Sequence, residues 1–300
     1  MTTDKLELIS IDFLNQHREL ATELSAMNKR LALSEGWHYI LDWTWVVHQI
    51  GSANNKTILD AGAGIGLLQW YLASKGANVI SVDRSDRTNI PFHLIKYFTV
   101  EGLTPADKPL SLLGLLNFFN KKAHVSTRIK SIARGILGEL KQANRIPANG
   151  TVKLYGKDLG RLTDIPDNSI DFVVSISALE HNKSIDDIKN IAYELHRVLR
   201  PGGKMIITLP AAQFTDWFFE PAYSWCFTDS TIKDIFHLAN NVDSNYEIYN
   251  NIFEDIKNSK ELRKNISWRY YFTPNSGMPN GHWNPQYIPV GVVKTKPLSF

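Results

Sequence analysis

A single cysteine, Cys226, is present in the 300 residues. One thiol forms no intrachain disulfide and no cysteine metal cluster, and it predicts the reducing cytoplasm as compartment. No apolar run reaches the roughly 18 residues of a membrane-spanning helix. The first stretch, MTTDKLELISIDFLNQ, has no apolar h-region and carries Asp4, Glu7 and Asp12, so it does not read as a signal peptide. Internal repeats and low-complexity tracts are absent. Net charge is small, +3 from 33 basic and 30 acidic residues. It is unevenly spread, because residues 108–145 hold eight basic side chains and one acid, Glu139, and are therefore +7. Hydrophobic content of 43% and charged content of 21% exclude a disordered or collagen-like chain.

From Thr57 to Pro210 strands alternate with helices. Thr57–Ala61, Val79–Asp83, Val152–Tyr155, Ile170–Ile176 and Lys204–Leu209 are short apolar runs. Leu67–Ser74 reads as a helix ending near Gly76. Ile185, Ile188, Ile191, Leu195 and Val198 recur at helical spacing. Near-continuous apolar strands between helices predict a mostly parallel, doubly wound α/β sheet covered on both faces. Ile288–Lys294 predicts a late strand at the sheet edge. The expected plan is a single domain over 1–300. Residues 1–50 form a helical cap, and 51–87, 151–210 and 288–300 form the core. Residues 88–150 are a basic helical insert, and 211–287 an irregular, aromatic-rich region with 17 of the 33 aromatic side chains.

The sequence Asp60-Ala61-Gly62-Ala63-Gly64-Ile65-Gly66 follows the first of those strands and opens a helix. Glycines there let the backbone turn tightly and approach a ligand, and the helix N-terminus adds free N–H groups. Asp83, ending the next strand, can accept both hydroxyls of a ribose. A dinucleotide fingerprint requires G-x-G-x-x-G/A. Here the third glycine comes one residue early, at Gly66, and Leu67 holds the small-residue position. No Gly-Lys-Ser/Thr follows, which excludes a P-loop. Asp60 suits a cationic amino group better than a pyrophosphate.

ILDAGAGIG, the acid of VISVD, GKDLGRLTDIPDNSIDFVVSISALEH and LRPGG, in that order over 57–210, resemble the class I S-adenosylmethionine-dependent methyltransferases, in particular the group with a Leu-Glu-His motif. The resemblance implies a Rossmann-like fold and S-adenosylmethionine as cofactor, with S-adenosylhomocysteine as product. It implies that Asp60, Ala61, Gly62, Ala63, Gly64 and Gly66 surround the methionine moiety. Asp83 would hold the ribose, Arg84 would pack near the adenine, and Asp158 and Leu159 would meet the adenine edge. Ser177 and Ala178 would lie near the methyl group. The insert at 88–150 is longer than that family's usual helix and bears on the acceptor.

An Asn/Asp-Pro-Pro-aromatic sequence, common in amine-methylating nucleic-acid enzymes, is missing after Ile176. Cys226 lies well beyond the loop where cytosine methylation needs its nucleophile. Oxygen is then the expected acceptor, and a base that takes its proton would assist. His181 is the candidate, because chemistry in open α/β sheets gathers at strand C-termini and imidazole titrates near neutrality. His282 is a second candidate base. Glu180 could fix a loop or contact the cofactor, and His38 and Tyr39 could close over the cofactor or pack in the core. His181 with Asp186 and Asp187 matches no strong metal template, so no metal is expected. The aromatic region suits a sugar or planar ring as well as a second hydrophobic cluster. The expected function is methylation of a sugar or glycan hydroxyl. Methylation of a small aromatic metabolite, RNA methylation and an inactive binding subunit are the alternatives. Partners would be a small-molecule or glycan acceptor and, through 108–145, an anionic lipid or membrane surface. Nucleic acid is disfavoured, and oligomeric state is not specified.

Overall fold

The computed structural model describes residues 4–31, 33, 36–85, 87, 90, 92–102, 149–264 and 282–298. The whole +7 segment, 108–145, and with it the expected lipid contact, lies outside the described residues. So do Trp268, Tyr270, Tyr271 and Phe272 of the aromatic region.

The described strands are β1 (Lys5–Leu8), β2 (Thr57–Ala61), β3 (Asn78–Asp83), β4 (Thr99–Glu101), β5 (Thr151–Gly156), β6 (Ile170–Ile176), β7 (Leu199–Ala211), β8 (Trp217–Phe219), β9 (Ser224–Cys226) and β10 (Ile288–Thr295). The described helices are α1 (Ile11–Gln16), α2 (Arg18–Arg30), α3 (Tyr39–Ile50), α4 (Leu67–Ser74), α5 (Phe92–Tyr97), α6 (Ile185–Val198), α7 (Asp229–Ile235), α8 (Tyr249–Asn258) and α9 (Lys260–Lys264). Eight strands make one sheet in the order β1-β10-β7-β6-β2-β3-β5-β4. β10 runs antiparallel to both its neighbours, and the other pairs are parallel. The fold is α/β and Rossmann-like. Strand order reverses at β2, flanked by β3 on one side and β6 on the other, which opens a crevice at the strand C-termini.

Helix-forming patterns place the layers. In α6, Ser184 caps the N-terminus by accepting from the Asp187 N–H at 3.1 Å. Ile188, Ile191, Leu195 and Val198 turn one face into the core. Most of α3 is apolar, and nine of its twelve residues are buried, packed on β6, β7 and β10. The Trp45 ring of α3 lies on Gly291 of β10, where a Cβ would come within 2.5 Å of the indole. Trp45 Nε1 donates to Glu7 of β1 at 2.9 Å. Helix and both terminal strands are thereby joined, and their buried side chains belong to one contiguous core.

Three expectations differ from the structure. Residues 1–50 are not wholly helical, because Lys5–Leu8 pairs with β10. Leu6 and Leu8 are buried on alternate positions, and a four-residue alternation becomes a strand only when an edge is offered to it. β10 is consequently internal, and β1 forms the edge. The 211–287 region is more regular than expected. Among its described residues it holds the β8–β9 hairpin and α7, α8 and α9.

Candidate functional site

A cavity of about 200 Å³ opens at the C-terminal ends of β2, β3, β5 and β6. Gly62, Asp83, Arg84, Asp158, Leu159, Ser177, Ala178 and His181 line it, all of them singled out in the sequence. Ser85, Lys157, Asn182 and Ile191 complete the wall.

The glycine turn is held from behind by Gln69. Its Nε2 donates to the carbonyls of Ala63, Gly64 and Gly66 at 3.1–3.3 Å. Its Oε1 accepts from Ser81 Oγ at 2.8 Å. The buried Arg87 guanidinium donates to Ser81 Oγ at 2.7 Å and to the Tyr155 carbonyl at 2.8 Å. Neither residue stood out beforehand. The signal for Gln69 was a lone amide inside the apolar helix LLQWYLAS, where an unpaired buried amide would cost stability.

Asp83 carries two backbone hydrogen bonds. The Gly64 N–H donates to Oδ2 at 2.8 Å and the Ser85 N–H to Oδ1 at 2.7 Å. An ionised carboxylate has about four acceptor positions, so it retains capacity for hydroxyl donors in the cavity. Asp60 lies deeper, near the end of β2 and only 4% exposed. Burial pushes its carboxyl up to about 7, and the Asp83 charge adds to this. The Arg87 charge and a Gln69 backbone hydrogen bond oppose it. Ala61, Ala63, Gly64 and Gly66 shape the turn without lining the cavity. The Gly160 N–H donates to Asp158 Oδ1 at 2.8 Å, which sets the turn that presents Asp158 and Leu159.

At the end of β6 the backbone of Ser177 enters the left-handed region, φ 43°. Such conformations in non-glycine residues gather at functional sites. The turn Leu179–His181 follows. His181 lines the cavity, with its Nδ1 at 2.8 Å from the carbonyl of Tyr223. Glu180 is 1% exposed and is not among the residues that line the cavity. Burial pushes its carboxyl up, the His181 and His38 charges oppose this, and Asp42 adds to it. Its Oε2 has no hydrogen-bond partner among the described residues.

His38 is buried, its Nδ1 pairing with Asp42, and its ring stacks on Tyr39. It packs in the core and does not line the cavity. His282 is exposed and is not in the cavity wall either. Asp187 accepts from Ser184 Oγ at 2.8 Å, and so serves the start of α6. Beside His181 stands the aromatic hairpin, in which the Phe218 ring meets those of Tyr223 and Trp225 at 5.0 and 5.2 Å.

Residues 132–207 match a family model described as a methyltransferase domain. The match takes in β5, β6, α6 and part of β7, so this stretch of the chain is similar to a methyltransferase domain. Two curated relatives are tRNA U34 carboxymethyltransferases. That of Shewanella sp. (strain W3-18-1) is 36% identical over 77 residues, 25% of this chain and 22% of the relative. That of Alteromonas mediterranea (strain DSM 17117 / CIP 110805 / LMG 28347 / Deep ecotype) is 38% identical over 69 residues, 22% of this chain and 21% of the relative. The chain thus spans about a fifth of the length of the curated relatives it matches. Among solved structures, 1,6-didemethyltoxoflavin-N1-methyltransferase from Burkholderia thailandensis, with bound 1,6-didemethyltoxoflavin and S-adenosylhomocysteine, is 14% identical. The similarity covers 95% of this chain and 86% of that one, with a TM-score of 0.43.

In the cavity wall Gly62 packs against Ala178 with no space for a side chain. Gly62 has φ 78°, and a Cβ there would lie 2.3 Å from that of Ala178. Gly64 has φ 48°, but among the described residues a Cβ there would meet nothing closer than Asp83 Oδ2 at 3.9 Å. Gly62→Ala should therefore cost about 1–3 kcal/mol by overpacking, in addition to left-handed strain of about 1–2 kcal/mol. Gly64→Ala should show the strain alone. Denaturant melts of the two variants check this, and equal losses would contradict it.

Proposed function

We propose that this chain transfers a methyl group from S-adenosylmethionine to a hydroxyl, on a sugar or glycan, with His181 as the base. The observation that carries the reading is the shared wall of one cavity. Asp83, able to accept ribose hydroxyls, and His181, able to accept a proton, both line it. The residues fit the cofactor, because the Gly62–Ala178 floor leaves no room for a Cβ and the buried Asp60 carboxyl lies next to the glycine turn.

Bound S-adenosylmethionine supplies a methyl group on a positively charged sulfur. Asp60, once ionised, pairs with the cofactor's amino group. Asp83 orients the ribose, Arg84 packs near the adenine, and Asp158 and Leu159 meet its edge. Ala61, Ala63, Gly64 and Gly66 let the backbone pass close to the methionine moiety, and Ser177 and Ala178 border the methyl group. His181 would accept the acceptor's hydroxyl proton as the methyl carbon exchanges its bond to sulfur for one to oxygen, with S-adenosylhomocysteine as the leaving group. The exposed Tyr223 ring, with Phe218 and Trp225 behind it, offers a face on which a sugar ring packs.

S-adenosylhomocysteine should raise the melting temperature by mass action, and NAD should not. Asp83→Ala should weaken that binding by about 1–3 kcal/mol, the scale of hydrogen bonds to a charged group. Stabilisation by NAD alone would overturn the cofactor. A screen of nucleotide sugars and glycans for S-adenosylhomocysteine formation then identifies the acceptor.

RNA is the second reading. Two observations favour it: the +7 charge of 108–145 and relatives named for action on tRNA. Phosphate contacts give a steep fall of log affinity with log salt concentration. An acceptor affinity that hardly changes with salt excludes RNA. The same basic segment could serve an anionic acceptor or lipid head group, which binding to anionic against neutral vesicles tests.

A further inference from the structure

Resting on His181 as base, we infer that Tyr223 is its positioning residue. The Tyr223 backbone carbonyl fixes the neutral imidazole as the Nδ1–H tautomer and makes Nε2 the proton-accepting atom. A carbonyl oxygen can only accept a hydrogen bond, so the 2.8 Å contact requires the proton on Nδ1. In neutral imidazole the other nitrogen then keeps its lone pair. The proton of the acceptor hydroxyl moves to Nε2, and the ring becomes a cation that still donates from Nδ1 to the same carbonyl.

The backbone around that carbonyl is set from both sides. Tyr223 has φ 52°, a left-handed conformation that is costly outside glycine. It follows the turn Glu220–Ala222, and its N–H donates to the Glu220 carbonyl at 3.1 Å. On the other side β9 runs directly into an anchor on β7. The Phe227 N–H donates to the Pro210 carbonyl at 2.9 Å, and the Ala212 N–H to the Phe227 carbonyl at 2.7 Å. β7 lies beside β6, whose C-terminal end leads to His181. Hairpin and imidazole are therefore referred to the same pair of strands. The Phe218 ring of β8 meets Tyr223 and, across the hairpin, Trp225 of β9, which keeps the strand pair together, while Trp217 meets Phe219 along β8. The group that sets the tautomer is main chain, so side-chain replacement at 223 does not remove it.

The full-length protein labelled with ¹⁵N-histidine tests this without an acceptor, with His181→Asn assigning the signal. At a pH where the imidazole is neutral, His181 should show a protonated Nδ1 and an unprotonated Nε2. A neutral ring protonated on Nε2 overturns the inference. Tyr223→Gly, which keeps the carbonyl and favours the positive φ, should retain the Nδ1–H form. Tyr223→Pro, whose ring holds φ near −65°, should move the carbonyl and lower the Nδ1–H fraction to that of a solvent-exposed histidine. An unchanged tautomer in a folded Tyr223→Pro protein also overturns it. If that variant does not fold, the wild-type and Tyr223→Gly spectra decide alone. S-adenosylhomocysteine binding should persist in each folded variant. The Nδ1–H form together with undiminished turnover in His181→Ala would remove the base and leave the tautomer assignment standing.

Discussion

Asp60→Asn should make the unliganded protein more stable at pH 8, relative to wild type, than it does at pH 4, by about 4 kcal/mol. That figure is about three pKa units at 1.36 kcal/mol each. The Asp60 carboxyl titrates at about 7 in the folded chain against an ordinary value of 3.8. The folded state therefore holds this proton where the unfolded chain has released it. Below pH 3.8 both states are protonated and no penalty exists. As pH rises the wild type loses stability, and the loss levels off once the pH passes about 7. Asn cannot ionise, so the variant lacks that slope. Urea melts at several pH values measure it, and parallel wild-type and variant curves would contradict the assignment. S-adenosylhomocysteine carries an amino group that an ionised Asp60 would pair with. Binding should accordingly release a proton near neutrality, stabilise the wild type most above pH 7, and be weaker in the variant. A residue that lowers stability when empty and raises affinity when filled is the exchange often found at functional sites.

His181→Ala should lower turnover by roughly 10²–10⁴-fold, the usual range for a positioned acid or base. Cofactor affinity should change little, because the glycine turn and Asp83 do not depend on the imidazole. Calorimetry with S-adenosylhomocysteine checks the second statement, and a steady-state assay on the acceptor found by screening checks the first. Loss of both together would indicate a collapsed cavity wall. Unaltered turnover would move the reaction to proximity alone, since His282 is not in the wall and His38 is buried with Asp42.

The central fold was legible because its signals are local. Five apolar runs, one amphipathic helix and a glycine turn each occupy fewer than 20 residues, and parallel topology follows from their alternation. The residues flanking the turn were legible for the same reason, since Gly62, Asp83 and Ala178 stand at strand ends. Pairings between distant segments were not. β1 is a strand only because Val290–Val293 lies beside it. His38 could not be told from a cofactor lid until its partner Asp42 was seen to be buried with it on α3. The contact between His181 and Tyr223 joins residues 42 positions apart through a main-chain oxygen, which leaves no trace in residue identity. Gln69 and Arg87 were missed because a buried polar side chain reads like a surface one until its partners are known.

The seating of Trp45 on Gly291, with Glu7 at the indole nitrogen, bears on how the chain is made. Lys5 pairs with Val293, so β1 has no hydrogen-bonding neighbour until β10 has been made, far along the chain. Until then the open edge of β7 and the apolar underside of α3 face solvent together. Contacts that close such long loops form late and prolong the exposure of sticky intermediates. A nascent chain stalled before residue 288 would display that edge, and a chaperone or a neighbouring copy would find it there.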